Sequence, residues 1–167
     1  MVLNLKGFLN GGNGEMPVNA FLDFSEEVYA GEKIFAKPVE VVGKVVNRAD
    51  VTELLLNCNV TVEKPCDRCG KNTNKVYNTP VRRILVTELA GDDDIDYLLI
   101  TDDELDLYDV VLGEILLSLP MKHLCSEDCK GICPTCGKNL NENSCNCAEK
   151  SIDPRLEVLK ELLKDED

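Results

Sequence analysis

The stretch "LLLNCNVTV", residues 54–62, carries the reading of the fold. Leu54, Leu56, Cys58, Val60 and Val62 alternate strictly, with Asn57, Asn59 and Thr61 on the opposite face. A two-residue period of this kind belongs to a β-strand buried on one side and wet on the other. Cys58 falls on the apolar side and reads as a core residue, not a reactive thiol. Working outward, "PVEVVGKVV" (38–46) and "YNTPVRRILVTEL" (77–89) are further strands, and the connections between these segments are short. Short connections favour antiparallel neighbours, so the N-terminal two thirds is expected to be an antiparallel sheet in meander order.

Two helices are expected beyond the strands. In "DLYDVVLGEILLSLP", Tyr108, Val111, Leu112, Ile115, Leu116 and Leu119 recur at steps of three and four and form one apolar face. Asp106 suits the N-cap, Asp109 the first turn, and Pro120 ends the run. This helix, 106–119, is expected to close the core of the sheet. In "IDPRLEVLKELLKDED", Asp153 caps a second helix and Pro154 takes its first position, where a missing N–H costs nothing. The chain therefore reads as α+β: an antiparallel sheet packed by one or two helices, with a small Cys-rich segment near the end. The divisions are an α+β domain at 1–121, a cysteine cluster at 122–151, and a C-terminal helix and tail at 152–167.

Charge is unevenly placed along these 167 residues. The net charge is −13, yet residues 60–83 carry +4, and residues 84–121 carry −11 without a single Lys or Arg. A field of that net sign repels free nucleic acid and attracts basic partners. The basic island comprises Lys64, Arg68, Lys71, Lys75, Arg82 and Arg83, expected around one hairpin tip as a finger for phosphate or an acidic partner. The run "GDDDIDYLLITDDELD" (91–106) reads as a solvated acidic connector. No apolar segment approaches 18 residues, and the start of the chain has no basic region leading into an apolar run. A cytoplasmic protein with no membrane segment is therefore expected.

Nine cysteines in a reducing compartment argue against a disulfide framework, and the odd count argues further. Two pairs share one grammar, "CDRCG" at Cys66 and Cys69 and "CPTCG" at Cys133 and Cys136. Two intervening residues let both sulfurs face one centre. The following glycine lets the backbone turn and aim its N–H groups at the thiolates, as in structural zinc sites. A redox-active C-x-x-C is the competing reading. The expected metal site takes four of Cys125, Cys129, Cys133, Cys136, Cys145 and Cys147, with Cys133 and Cys136 the firmest members. Cys66 and Cys69 are less favoured ligands, either joined with Cys133 and Cys136 or left metal-free at the tip. All-thiolate ligands suit zinc, and an iron–sulfur cluster is the second choice. A closed four-Cys shell leaves no position for water, which argues against hydrolytic chemistry. The single histidine, His123, reads as a surface or helix-end residue. No catalytic set, phosphate loop or small-molecule site is assembled, so no enzyme activity is expected.

Taken together, "PCDRCG" after a strand, "DLYDVVLGEILLSLPMKHLCSEDCKGICPTCGKNLNENSCNC" and "DPRLEVLKELL" resemble the YceD family, the large ribosomal RNA subunit accumulation proteins. The resemblance is most specific over residues 106–163. It implies a non-enzymatic ribosome biogenesis factor promoting accumulation of the large-subunit (23S) ribosomal RNA. It also favours a C-terminal zinc site independent of Cys66 and Cys69. Implied partners are large-subunit ribosomal proteins or assembly factors, with precursor ribosomal RNA reached indirectly. Asp92, Asp93, Asp94 and Asp96 are the acidic residues expected to meet a basic partner. The alternatives are a zinc or thiol redox protein using a C-x-x-C pair and a generic protein-interaction adaptor.

Overall fold

The computed structural model describes residues 1–9, 13–88 and 96–147. Eight elements follow in chain order: β1 (Val2–Asn4), β2 (Gly14–Leu22), β3 (Val39–Arg48), β4 (Val51–Pro65), β5 (Asn72–Val86), β6 (Tyr97–Leu99), β7 (Glu104–Asp106) and α1 (Leu107–Ser118). Strands β2, β3, β4 and β5 form an antiparallel meander, and β6 joins its edge beside β5 in parallel. A separate two-stranded ribbon pairs β1 with β7. The antiparallel α+β architecture is as the alternation of 54–62 predicts.

Strand β4 carries that pattern onto the core. Leu54, Leu56, Cys58, Val60 and Val62 are all buried, while Asn57 and Asn59 face solvent. From β3, Val41 and Val45 join the same layer, and Val81 and Leu85 join it from β5. Between β3 and β4 the turn places Ala49 and Asp50 at φ of 51° and 63°. Two consecutive left-handed residues make the tight turn whose twist matches a hairpin. Gly43 lies where β3 approaches β4 most closely: a Cβ there would overlap the carbonyl oxygen of Leu55. Only glycine lets the two backbones pair at that point.

Helix α1 lays Leu107, Val111 and Ile115 into the core, with Tyr108, Leu112, Leu116 and Leu119 packed around them. The Asp106 side chain accepts the Tyr108 N–H at 3.0 Å and caps its start. Two contacts pin the helix to β5: Glu114 pairs with Arg83 at 2.5 Å, and the Thr79 and Ser118 hydroxyls meet at 2.7 Å.

The described part of the acidic stretch, 96–106, differs from the expected connector. Its apolar residues build β6, half-bury Leu98 and bury Ile100, and β7 follows with Leu105 buried. Asp102 and Asp103, at φ of 59° and 56°, form the turn between those strands. The expected helix at 152–167, and with it Asp92, Asp93 and Asp94, lies outside the described residues. No helix among the described residues is long and apolar enough to cross a membrane.

Candidate metal centres

The long hairpin of β4 and β5 positions the first centre. Fifteen residues in each strand carry its tip, Cys66 to Lys71, roughly 50 Å from the far end at 3.3 Å per residue. The chain leaving α1 then runs back along that hairpin. Ser118 meets Thr79, the His123 ring lies between Tyr77 and Thr73, and Cys125 reaches Cys69. His123 is buried, contrary to the surface position expected for it. Its Nε2 lies 2.7 Å from Thr73 Oγ1, and its Nδ1 lies 3.4 Å from the Tyr77 hydroxyl. Its backbone pairs reciprocally with Asp67, donating N–H to Oδ2 at 2.7 Å and accepting the Asp67 N–H at 2.8 Å. This pairing seats the post-helix segment against the hairpin tip.

Eight cysteines converge on two centres: Cys66, Cys69, Cys125 and Cys129 in the first, Cys133, Cys136, Cys145 and Cys147 in the second. Within each set the sulfurs lie within 4.8 Å of one another. The second set is four of the six cysteines expected to share a site, with Cys133 and Cys136 among them; the first set was not expected, and Cys66 and Cys69 join Cys125 and Cys129 instead of Cys133 and Cys136. The two of those six left outside the second set, Cys125 and Cys129, turn toward the hairpin tip. They do so because the His123–Asp67 pairing brings that segment there.

Each centre starts from the same knuckle. Gly70 and Gly137 adopt φ of 71° and 72°, a left-handed geometry that glycine takes without strain. In the first, Gly70 N–H donates to the Cys66 carbonyl and Cys66 N–H to the Lys71 carbonyl, at 2.8 and 2.9 Å. In the second, Gly137 and Cys133 repeat those bonds with Cys133 and Lys138, both at 2.8 Å. The shared sequence C-x-x-C-G-K thus folds the same way twice.

The electrostatics of the thiols favour a cation. Burial pushes the Cys66 thiol up, but the N–H groups of Cys125, Arg68 and Cys69 outweigh it and hold the thiol at about 6. Cys133 is likewise held at about 6, by the N–H groups of Cys136 and Thr135. Burial likewise pushes the Cys129 thiol up, but the Gly131 N–H and the Asn141 side chain outweigh it and hold it below its ordinary value. A further negative charge beside such a thiolate is repelled. Cys147 is pushed up to about 12 by its neighbour Cys136, by burial, and by Cys133 and Cys145. Cys69 rises to about 12 despite the Lys71 N–H, through burial and its thiol neighbours. A divalent ion would remove this conflict by stabilising all four thiolates together. The spacing fits such an ion. Four sulfurs about 2.3 Å from one centre in a tetrahedron lie about 3.8 Å apart. The Cys66–Cys129 and Cys69–Cys125 separations are 3.8 and 3.7 Å. Both sets are able to hold a metal ion.

The basic residues are not gathered at the tip. In register, Arg82 and Arg83 stand opposite Leu55 and Leu54, ten or more residues along the strands from the knuckle. Arg82 pairs with Glu53 at 2.6 Å, and Arg83 with Glu114 and Asp96 at 2.5 and 3.7 Å. Arg68 remains at the tip but turns inward, donating from Nη1 to the carbonyls of Glu127 and Cys129 at 3.1 and 2.9 Å. Lys64 lies 3.5 Å from Asp67. Lys71 is exposed, Lys75 half-buried and Asp96 exposed. Sequence reasoning did not find the parts played by Arg68, His123 and Asn141, whose Nδ2 donates to Cys129 Sγ at 3.3 Å.

Residues 54–163, which include all eight of these cysteines, match the family described as large ribosomal RNA subunit accumulation protein YceD. The chain belongs to the YceD family. The uncharacterized protein YlbN of Bacillus subtilis is similar along nearly the whole length, 30% identical over 92% of this chain and 94% of its own. The chloroplastic large ribosomal RNA subunit accumulation protein YCED homolog 1 of Zea mays is 34% identical over 41% of this chain and 25% of its own. The uncharacterized protein Rv2926c of Mycobacterium tuberculosis is 36% identical over 38% of this chain and 30% of its own. No solved structure matches. The YceD match spans β4 and β5, α1 and both tetrads, so it covers the parts that build the two centres.

Proposed function

We propose that this YceD-family protein is a non-enzymatic factor of ribosome assembly that promotes accumulation of large-subunit (23S) ribosomal RNA. The observation that carries this reading is the family match over residues 54–163, under a description that names that role. In this reading each tetrad takes one structural zinc ion. The S₄ ligand set and the sulfur spacing of the first tetrad both support zinc. An iron–sulfur cluster interposes several atoms between its thiolates and needs wider spacing, so it has less support. With four thiolates around each ion, no position is left for a reacting water. The acidic residues after β5, including Asp92, Asp93, Asp94 and Asp96, would meet a basic ribosomal protein or assembly factor.

Sedimentation tests the function. Lysate resolved on a sucrose gradient should show the protein co-migrating with large-subunit precursors, and its depletion should lower 23S relative to 16S ribosomal RNA. An unchanged ratio, with the protein confined to the top of the gradient, would refute the role. The redox alternative would take Cys66 and Cys69 into a disulfide and remove two ligands from the first tetrad. It finds less support, because Cys66 and Cys69 each face a thiol of the 125–129 segment.

A further inference from the structure

We infer that Asn141 couples the two tetrads, so that an ion held by the second strengthens the hold of the first on its own. The inference rests on the reading that each tetrad binds a metal ion. Asn141 belongs to the loop between Cys136 and Cys145, inside the second tetrad, yet its side chain serves the first. Its Nδ2 donates to Cys129 Sγ at 3.3 Å, and its Oδ1 accepts the N–H of Lys130 at 2.7 Å. The Lys130 N–H fixes which way the amide faces, since the reversed amide would set two donors against each other.

The loop carrying Asn141 is shaped by the second centre. Cys133 N–H bonds the Lys138 carbonyl at 2.8 Å, Ile132 bridges Asn139, and Leu140 N–H returns to the Gly131 carbonyl at 2.9 Å. Asn139 Oδ1 then accepts from both the backbone N–H and Nδ2 of Asn141, at 3.0 and 2.8 Å. Cys145 and Cys147 close the loop by sharing a centre with Cys133 and Cys136. The junction is tight: Gly131, at φ of 74°, packs where a Cβ would come within 3.0 Å of the Arg68 carbonyl oxygen. The knuckle of the first centre therefore packs directly on Gly131, the residue between the two tetrads to which Leu140 of the loop is bonded.

A donor N–H on a coordinating thiolate disperses its charge and fixes its direction, which favours the metal-bound form. An ion in the second tetrad holds the loop that aims this donor. Linkage makes the effect reciprocal: whatever factor the second ion adds to the first, the first adds to the second.

The test uses the full chain loaded with zinc, first assayed for two ions per chain. Competition with a chelator gives the two affinities, and alkylation of released thiols, mapped by mass spectrometry, shows which tetrad has emptied. Asn141 is exposed, so Asn141→Ala should fold and still bind two ions. It should weaken each ion by about tenfold when the other tetrad is filled, the lower end of what loss of such an outer partner costs. Weakening confined to the Cys66–Cys129 tetrad would make Asn141 a local donor and overturn the coupling, as would unchanged affinities. Fewer than two ions in the unaltered chain would overturn the two-ion reading itself, and the coupling with it.

Discussion

The two tetrads should differ in what they do for the fold, and the difference follows from the chain that each one spans. In the first, Cys69 and Cys125 are 56 residues apart. In the second, Cys136 and Cys145 are nine residues apart. A metal stabilises a fold only to the extent that it binds the folded chain better than the unfolded one. An unfolded chain gathers the second set at small cost, because its loop is short. Gathering the first set in the unfolded chain means closing the long loop. With a cost that grows as three-halves RT ln n, the difference is about 1.6 kcal/mol, roughly fifteenfold in the unfolded chain's affinity. Zinc in the first tetrad should therefore stabilise the whole domain by at least about 1.6 kcal/mol more than zinc in the second. The comparison is C69S/C125S against C136S/C145S, unfolded by urea in saturating zinc. Circular dichroism is the probe, since the chain has no Trp. For urea slopes of about 1–3 kcal/mol/M, the first variant should unfold about 0.5–1.6 M earlier than the second. Equal midpoints, or an earlier midpoint for the second variant, would refute the assignment of the first tetrad as the long-range clip.

Two further outcomes follow from the local geometry. Gly43→Ala should force β3 and β4 apart at the Leu55 carbonyl and cost about 2–4 kcal/mol, read as a lower urea midpoint with the slope unchanged; a midpoint within error of the parent would contradict the close approach. Asp67 has its carboxyl held below the usual carboxylate range, chiefly by the His123 N–H and then by Lys64. A carboxyl depressed on folding contributes stability above its unfolded value near 3.9, and loses that contribution as pH falls through the folded value. Asp67→Asn should thus be less stable than the parent at pH 7, with the gap closing below about pH 4. Measuring both chains at each pH in equal zinc cancels the shared loss of metal, and a gap independent of pH would contradict the assignment.

The sheet was legible where one face is apolar throughout. Strand β4 shows its period from Leu54 to Val62, and α1 shows its stripe, its Asp106 cap and its Pro120 stop. Both strands of the hairpin run further than that pattern, through Pro65 and from Asn72, because pairing continues down to the knuckle after the apolar alternation ends. Strands β6 and β7 have three residues each, too few for a period, and their acidic flanks hid them. For the metal centres, simple counting was available: setting aside Cys58 in the core leaves eight thiols and two C-x-x-C-G-K knuckles, each needing two more ligands. What counting does not supply is the route of the chain after α1. That route depends on His123 and Asp67, which meet across 56 residues and belong to no motif.

The same distance between sequence and space changes how the charge map is read. Lys64 to Arg83 form one basic island along the chain, but a strand advances about 3.3 Å per residue, so its two ends cannot share one surface. Among the described residues, four of its six cations have partners within the chain: Lys64 has Asp67, Arg68 two carbonyls, Arg82 Glu53, and Arg83 Glu114 and Asp96. That leaves Lys71 and Lys75 near the tip. Non-specific RNA affinity is built from phosphate contacts, each adding about one unit of salt dependence, so two lysines on a chain of net charge −13 supply little of it. The arginine at the tip serves the first tetrad instead, by holding the segment that carries Cys129. On the acidic side, Asp102, Glu104 and Asp109 are exposed. In the proposed role, such a charge distribution suits a basic protein better than bare RNA as the first contact.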